Sequence, residues 1–183
     1  MKRAPEIASG ICHALANTLG IRIVVDQSRT PCTDGKTIYL PPPKETTPEA
    51  IDAWHGYVDH ECAHVLWTTD FDWFSTQSDD MRRAINALED CRINARMAAK
   101  YLGTASNLKA VYSYMGKGQS DDVRSGKGGT PVGAGTFTAM VGVQAGLMGP
   151  WSALLTMLPP ELQVYADRGR AWGEAHAAQV LTA

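Results

Sequence analysis

His60-Glu61-Cys62-Ala63-His64 is the stretch on which the reading of this chain turns. Residues four apart on a helix lie one above the other, so both imidazoles of an H-E-x-x-H pattern can reach one tetrahedral metal ion. Glu61 projects beside that pair, where a carboxylate can take a proton from water activated by the metal. An accidental match would turn up in roughly 0.5% of shuffled sequences of this composition, so helical context has to support it. Thr47 reads as an N-cap and Pro48 as the first helical residue, and Trp54, Val58, Val65 and Leu66 supply an apolar stripe running to about Thr69. The competing reading is a solvated helix face that happens to carry two histidines.

Two imidazoles and a water do not complete a catalytic zinc site, so a third protein ligand is required. Asp70 lies six residues past His64, where H-E-x-x-H-x-x-G-x-x-H sequences put their last ligand, but Trp67 stands in place of the turn-forming glycine. Glu89 lies 25 residues past His64 on a second predicted helix, which starts at Ser78 with Asp79 and Asp80 in its first turn and ends near Gly103. A helix packed antiparallel to the first would bring that carboxylate to the metal. The chemistry of a two-His, one-Glu zinc site favours Glu89 over Asp70.

The run Asn86-Ala87-Leu88-Glu89-Asp90-Cys91-Arg92-Ile93, taken with His60 to Phe71, resembles a metallopeptidase domain found beside von Willebrand factor A modules. That domain occurs in cobaltochelatase-type proteins and in related phage and bacterial proteins. The shared pattern is H-E-x-x-H, a short T-D-F-like exit, then an L-E-D-x-R-I-like helix, and it covers residues 1 to about 110. The resemblance implies a zincin-like, gluzincin-type fold with zinc on His60, His64 and Glu89 and with Glu61 as general base. It names no substrate. The chain has no von Willebrand A module and stops at Ala183, as expected of a standalone protein or an excised domain.

Neighbours on a helix point to different faces, so Asp90 and Arg92 need separate readings. Asp90 is read either as the acceptor of the second ring proton of His60 or His64, or as a plain charge paired with Arg83 or Arg92. Arg92 is read either as the partner of a buried carboxylate or as a substrate clamp. Upstream, Ile21 to Val25 and Lys36 to Leu40 read as strands, with a turn at Thr33-Asp34-Gly35. By resemblance, Thr37 to Leu40 is the edge strand that would hold an extended substrate by main-chain hydrogen bonds. An ordinary small sheet covering the helix is the plainer alternative.

With 44% hydrophobic and 20% charged residues, 183 residues suffice for one domain with a real core. A net charge of −2 and scattered basic residues make nucleic acid an unexpected partner, and protein or peptide the expected substrate. Cys12, Cys32, Cys62 and Cys91 are widely spaced, with no C-x-x-C pair and no secretory signal ahead of them, which places the chain in a reducing, cytoplasmic setting. Cys62 and Cys91 read as buried thiols between the two helices. His13, on a first helix over about Pro5 to Leu19 ended by Gly20, is given no ligand role, nor are His55 and His176.

Residues 116–135 are glycine-rich and read as a flexible loop that could gate the cleft. Within it, Ser125-Gly126-Lys127-Gly128 fails as a phosphate loop at both ends. Tyr112 and Tyr114, just before it, are read as packing residues or as oxyanion donors. Residues 128–160 carry no charge, yet Gly142, Gln144, Gly146, Gly149 and Pro150 interrupt the run, so buried helices over about Thr136 to Met148 and on to Leu158 are expected rather than a membrane span. Gly142 and Gly146 suit close helix packing, and a charged last helix over Pro160 to about Leu181 completes residues 136–183.

The expectation is therefore a single α+β domain, mostly helical, with a small amino-terminal sheet and a zinc cleft between two helices. The expected activity is peptide hydrolysis. A different class of reading makes the chain a catalytically inactive zinc-binding interaction module acting with a partner such as an ATPase, and a third makes it a membrane-anchored hydrolase.

Overall fold

Alternation and chain reversal build the sheet. In the computed structural model, which describes residues 20–43, 45–124, 131–144, 158 and 160–182 (backbone alone at 116–124 and 131–133), strands β1 (Arg22–Val25), β2 (Cys32–Thr33) and β3 (Thr37–Leu40) form one sheet in the order β1-β3-β2. Strand β3 runs parallel to β1, with Ile38 opposite Ile23, and antiparallel to β2, with Tyr39 opposite Cys32. Ile38 and Leu40 are fully buried while Thr37 and Tyr39 are not, which is the period of two expected of a strand with one covered face. The reversal into β3 is held by Asp34, whose Oδ1 accepts the backbone N–H groups of Lys36 and Thr37 at 2.9 and 2.7 Å. Gly35 takes φ +84°, and a Cβ there would meet the Phe71 ring at 3.0 Å.

This arrangement corrects the expectation for Thr37 to Leu40. That strand is central, paired on both sides, and the edge facing the helices' cleft is β2. Two residues are too few for any periodicity to reveal, so β2 carried no signal in the sequence.

Helix α1 (Pro48–Trp67) begins where expected: Thr47 Oγ1 accepts the Ala50 N–H at 3.3 Å and Pro48 occupies the first turn. After it come a short helix α2 (Phe71–Ser75), the long α3 (Asp79–Lys100) and α4 (Thr104–Arg124). Ser78 caps α3 by accepting from Met81 N, with Asp79 and Asp80 in its first turn against the positive end of the helix dipole. Trp54, Val58, Cys62 and Ala63 of α1 meet Ile38 and Leu40 of the sheet, Ile93 and Met97 of α3 and Leu108 of α4 in one core. Full burial of side chains such as Val58 and Ile93 stabilises by about 1.5–3 kcal/mol each, so this core fixes how α1 and α3 face each other. Gly56 lets α4 come close to α1: a Cβ there would lie 2.2 Å from the Asn107 carbonyl oxygen.

Helix α4 continues to Arg124 and α5 (Pro131–Val143) starts at a proline, so much of the stretch expected as a glycine-rich loop over 116–135 is helical. Glycine lowers helix propensity by only about 1 kcal/mol, and tertiary packing overrides that. Helix α6 (Pro160–Thr182) matches the expected last helix and packs against α5 through glycines. A Cβ on Gly169 would stand 2.0 Å from the Gly135 oxygen, and one on Gly142 2.5 Å from the Arg170 oxygen. The first helix with His13 and Cys12, the Ser125–Gly128 segment, Gly146 and the helix ending at Leu158 fall outside the described residues, apart from Leu158 itself. Gly20, expected to end the first helix, has φ +65°. The fold is mostly helical with a small three-stranded sheet, an α+β arrangement. Among the described residues, no helix is long and apolar enough to cross a membrane.

Candidate metal centre

Helix periodicity puts His60 and His64 on one side of α1, and the packing of α3 across that side delivers the third group. Their rings meet edge to face with centroids 4.8 Å apart. Asp90 Oδ1 lies 3.1 Å from His64 Nε2 and 3.7 Å from His60 Nε2. Two ligand atoms about 2.0–2.1 Å from one tetrahedral ion are separated by about 3.3 Å, so these spacings bracket what a single cation requires. His60, His64 and Asp90 form a group able to hold a metal ion.

The far sides of both rings are occupied, and this decides which nitrogen faces Asp90. Asn94 is fully buried, donates from Nδ2 to Tyr112 Oη at 2.8 Å and presents Oδ1 to His60 Nδ1 at 2.9 Å. An amide oxygen only accepts, so His60 Nδ1 carries the proton. Thr68 spends its one hydroxyl proton on Glu89 Oε1 at 2.7 Å and therefore accepts from His64 Nδ1 at 3.0 Å. In the neutral rings, both Nε2 lone pairs then point at the same place. Asp90 Oδ2 accepts from Asn86 Nδ2 at 3.0 Å, while Asp90 Oδ1 is buried with no hydrogen-bond partner. A buried acceptor left unpaired costs about 1–3 kcal/mol, and a cation between it and the two nitrogens would remove that cost. The donor set, two imidazole nitrogens and one carboxylate oxygen, suits a divalent transition metal.

Glu89, expected as the third ligand, is not in this group. Its Oε2 accepts from Arg92 Nε at 2.7 Å and its Oε1 from Arg92 Nη2, also at 2.7 Å, alongside Thr68. Burial pushes this carboxyl up, but the hydrogen bonds from Arg92 and Thr68 outweigh it and hold the group below the usual carboxylate range. Arg92 also donates to the Trp67 carbonyl at 2.9 Å, tying α3 to the end of α1. Of the two readings of Arg92, partner of a buried carboxylate is the one its contacts support. Asp70, the other third-ligand candidate, caps α2 by accepting Trp73 N–H at 2.8 Å and is likewise outside the group. The acceptors of the second ring protons are thus Asn94 and Thr68, neither of which was singled out in the sequence, rather than Asp90.

Glu61 is 4% exposed and borders the cleft beside His60 and His64. Burial raises its carboxyl to about 7, with the Asp90 charge adding to the rise and His60 opposing it. That value suits a group that must both accept and return a proton near neutrality. The cleft has a volume of about 580 Å³ and is walled by Cys32 and Thr33 of β2 on one side and by Phe71, Glu89 and Arg92 on the other. Cys62 and Cys91 are buried in the helix packing as expected, and burial, with the Asp90 charge, pushes the Cys91 thiol up to about 12. The phenol of Tyr112 is likewise pushed up by burial and then by Asp90, so it stays protonated. His176 stacks on Trp172 in α6, away from the group.

No curated protein and no solved structure matches the chain. A family model described as cobalamin biosynthesis protein CobT matches residues 5–127, a stretch that contains the sheet, helices α1 to α4 and every residue of the metal group. With more than half of its length matched, the chain belongs to the CobT family of cobalamin biosynthesis proteins.

Proposed function

We propose that the chain is a zinc-dependent metallopeptidase of zincin-like fold, in which His60, His64 and Asp90 hold the metal and Glu61 is the general base. The observation that carries this reading is the orphaned Asp90 Oδ1 against two imidazole nitrogens whose opposite sides are already bonded. The ion, when bound, would supply Lewis-acid polarisation of a carbonyl and acidify water at neutral pH. Glu61 would take a proton at its carboxylate and return it to the leaving amine, a task its position and raised pKa support. Asn94 and Thr68 would keep both rings turned with Nε2 inward. An extended peptide could add to the outer side of β2, whose Cys32 and Thr33 line the cleft, in place of the expected Thr37 to Leu40.

Metal analysis of the purified chain and peptide-library cleavage by native and Glu61→Gln protein test this reading together. Stoichiometric zinc in both, with cleavage by the native protein only, is the expected result. Cleavage retained by the variant would reject the role of Glu61, and unchanged zinc in His60→Ala would reject the centre. A second reading, equally compatible with the family match, is a catalytically inactive zinc-binding module that acts with a partner protein such as an ATPase. Full zinc loading with no cleavage across the library would favour it.

A further inference from the structure

The metal group stands at the boundary between two unlike recesses. On one side is a cleft of mixed character, which carries Glu89, Arg92 and Asp70 beside Phe71, Trp73 and Ile85. On the other is a second cavity of about 430 Å³, walled by Tyr57, Val111, Tyr112, Met115, Phe137 and Met140. His60, Glu61 and Pro31 line both, so the two adjoin at the proposed base, and Asp90 lines the second. Tyr112 and Val111 belong to the small core between α4 and α5, with Tyr57, Met115, Phe137 and Met140 packed against it. Helices α4 and α5 therefore hold these walls in place without any ligand.

We propose that this second recess is a specificity subsite that takes a bulky apolar side chain, aliphatic or aromatic, from an extended peptide lying along Thr30 to Thr33. The proposal rests on the metal-centre reading above and names the class of ligand that centre would accept. Its chemistry follows from the walls. Apart from Glu61 and Asp90 beside the metal group, the recess offers no charged side chain among its lining residues. An anionic side chain would lose its water there and meet the Glu61 and Asp90 carboxylates, whereas an apolar one releases water from six apolar or aromatic walls. The two methionines adapt to side chains of different outline, which suits a subsite selective for a class rather than for one residue. The first cleft differs in carrying the Glu89–Arg92 pair among its apolar residues, so a peptide lying across the metal group would meet an ion pair on one side only.

The test uses the zinc-loaded full chain and N-acetylated hydroxamates of phenylalanine, leucine, glycine and aspartate, with affinities measured by calorimetry. The phenylalanine and leucine compounds should bind about ten- to a hundredfold more tightly than the glycine and aspartate compounds, the range that burial of one large apolar side chain commands. Met115→Gln and Met140→Gln keep side-chain length and shape at partly exposed positions, so both should fold with unchanged circular dichroism. Each should reduce the preference severalfold while leaving the glycine compound's affinity unchanged. Equal affinity for all four compounds, or a preference untouched by both substitutions, would overturn the subsite. Failure of every hydroxamate to bind the zinc-loaded chain would overturn it together with the metal centre. The apolar preference without any peptide cleavage would support the subsite and overturn the hydrolytic reading alone.

Discussion

Exchanging the acid for the amide at two adjacent positions, Asp90→Asn and Glu89→Gln, should rank the two variants one way in stability and the other way in metal affinity. In the metal-free protein Asp90 Oδ1 is a buried acceptor without a donor, 3.1 Å from His64 Nε2. An asparagine can place its NH2 at that point, donating to an imidazole lone pair, while its oxygen keeps the Asn86 hydrogen bond. Removing an unpaired buried acceptor is worth about 1–3 kcal/mol, so Asp90→Asn should raise the metal-free unfolding free energy by about 1 kcal/mol or more. Glu89 sits in a partly buried pair with Arg92, the two side chains 20% and 16% exposed. Breaking a fully buried pair costs about 3–5 kcal/mol; with solvent still reaching this one, Glu89→Gln should cost about 1–3 kcal/mol. Zinc affinity should respond the other way round. Glu89 touches the centre only through Thr68, and the loss of such outer support typically costs about 10–100-fold. Asp90→Asn removes a proposed ligand and should cost more than that. Urea unfolding in a chelator and competitive zinc titration of both variants provide the measurements. If Glu89→Gln loses more zinc affinity than Asp90→Asn, or if Asp90→Asn destabilises the metal-free chain, the assignment of the third ligand is wrong.

Glu61 should make the metal-free protein pH-sensitive: its folded pKa of about 7 lies above the ordinary 4.5, so the stabilisation is complete below 4.5 and is lost as pH rises through about 7. That interval corresponds to at most about 3 kcal/mol, and Glu61→Gln should flatten the pH profile in chelator and exceed the native chain in stability at pH 8, as urea midpoints across pH 4–8 would reveal. Asn94→Leu leaves the His60 Nδ1 proton and Tyr112 Oη without their amide partner, and zinc competition should register a roughly 10–100-fold weaker site. Gly169→Ala drives a methyl group against the Gly135 oxygen and should lower the unfolding free energy by about 1–3 kcal/mol in thermal or urea melts, with zinc affinity unchanged because α6 does not contribute to the metal group.

Much of the scaffold was legible because its signals are local. Thr47-Pro48 and Ser78-Asp79-Asp80 start α1 and α3 where their capping chemistry requires, and Asp34-Gly35 reverses the chain into β3. Pro160 likewise opens α6. What stayed hidden depends on partners distant in sequence. Strand β2 is two residues long and exists through its pairing with β3, so Thr37 to Leu40 could not be recognised as central before that pairing was known. The glycines over 116–135 lower helix propensity, yet helices α4 and α5 occupy much of that span. The backbone of Gly135 there packs against Gly169 of α6, where a Cβ on Gly169 would stand 2.0 Å from the Gly135 oxygen, so composition pointed to a loop where two helices pack closely.

The metal group illustrates the same division at finer scale. His60, Glu61 and His64 share one helix, so a spacing of four residues suffices to bring both rings together. The third ligand comes from another helix, and Glu89 and Asp90 are successive residues, turned about 100° apart around the α3 axis. Choosing between them amounts to knowing how α3 is rotated against α1, which Ile93, Met97 and Cys91 set by what they bury rather than by any motif. With those residues inward, Asp90 is carried to the imidazoles and Glu89 to Arg92 and Thr68. The motif Leu88-Glu89-Asp90-Cys91-Arg92 thus holds two carboxylates with separate duties, one facing the metal group directly and one steadying it through a hydroxyl. A rotation of α3 by a single residue position would bring Glu89 to the metal group and carry Asp90 to where Cys91 now packs, and for that reason the paired substitutions at 89 and 90 test the packing of the two helices as directly as they test the chemistry.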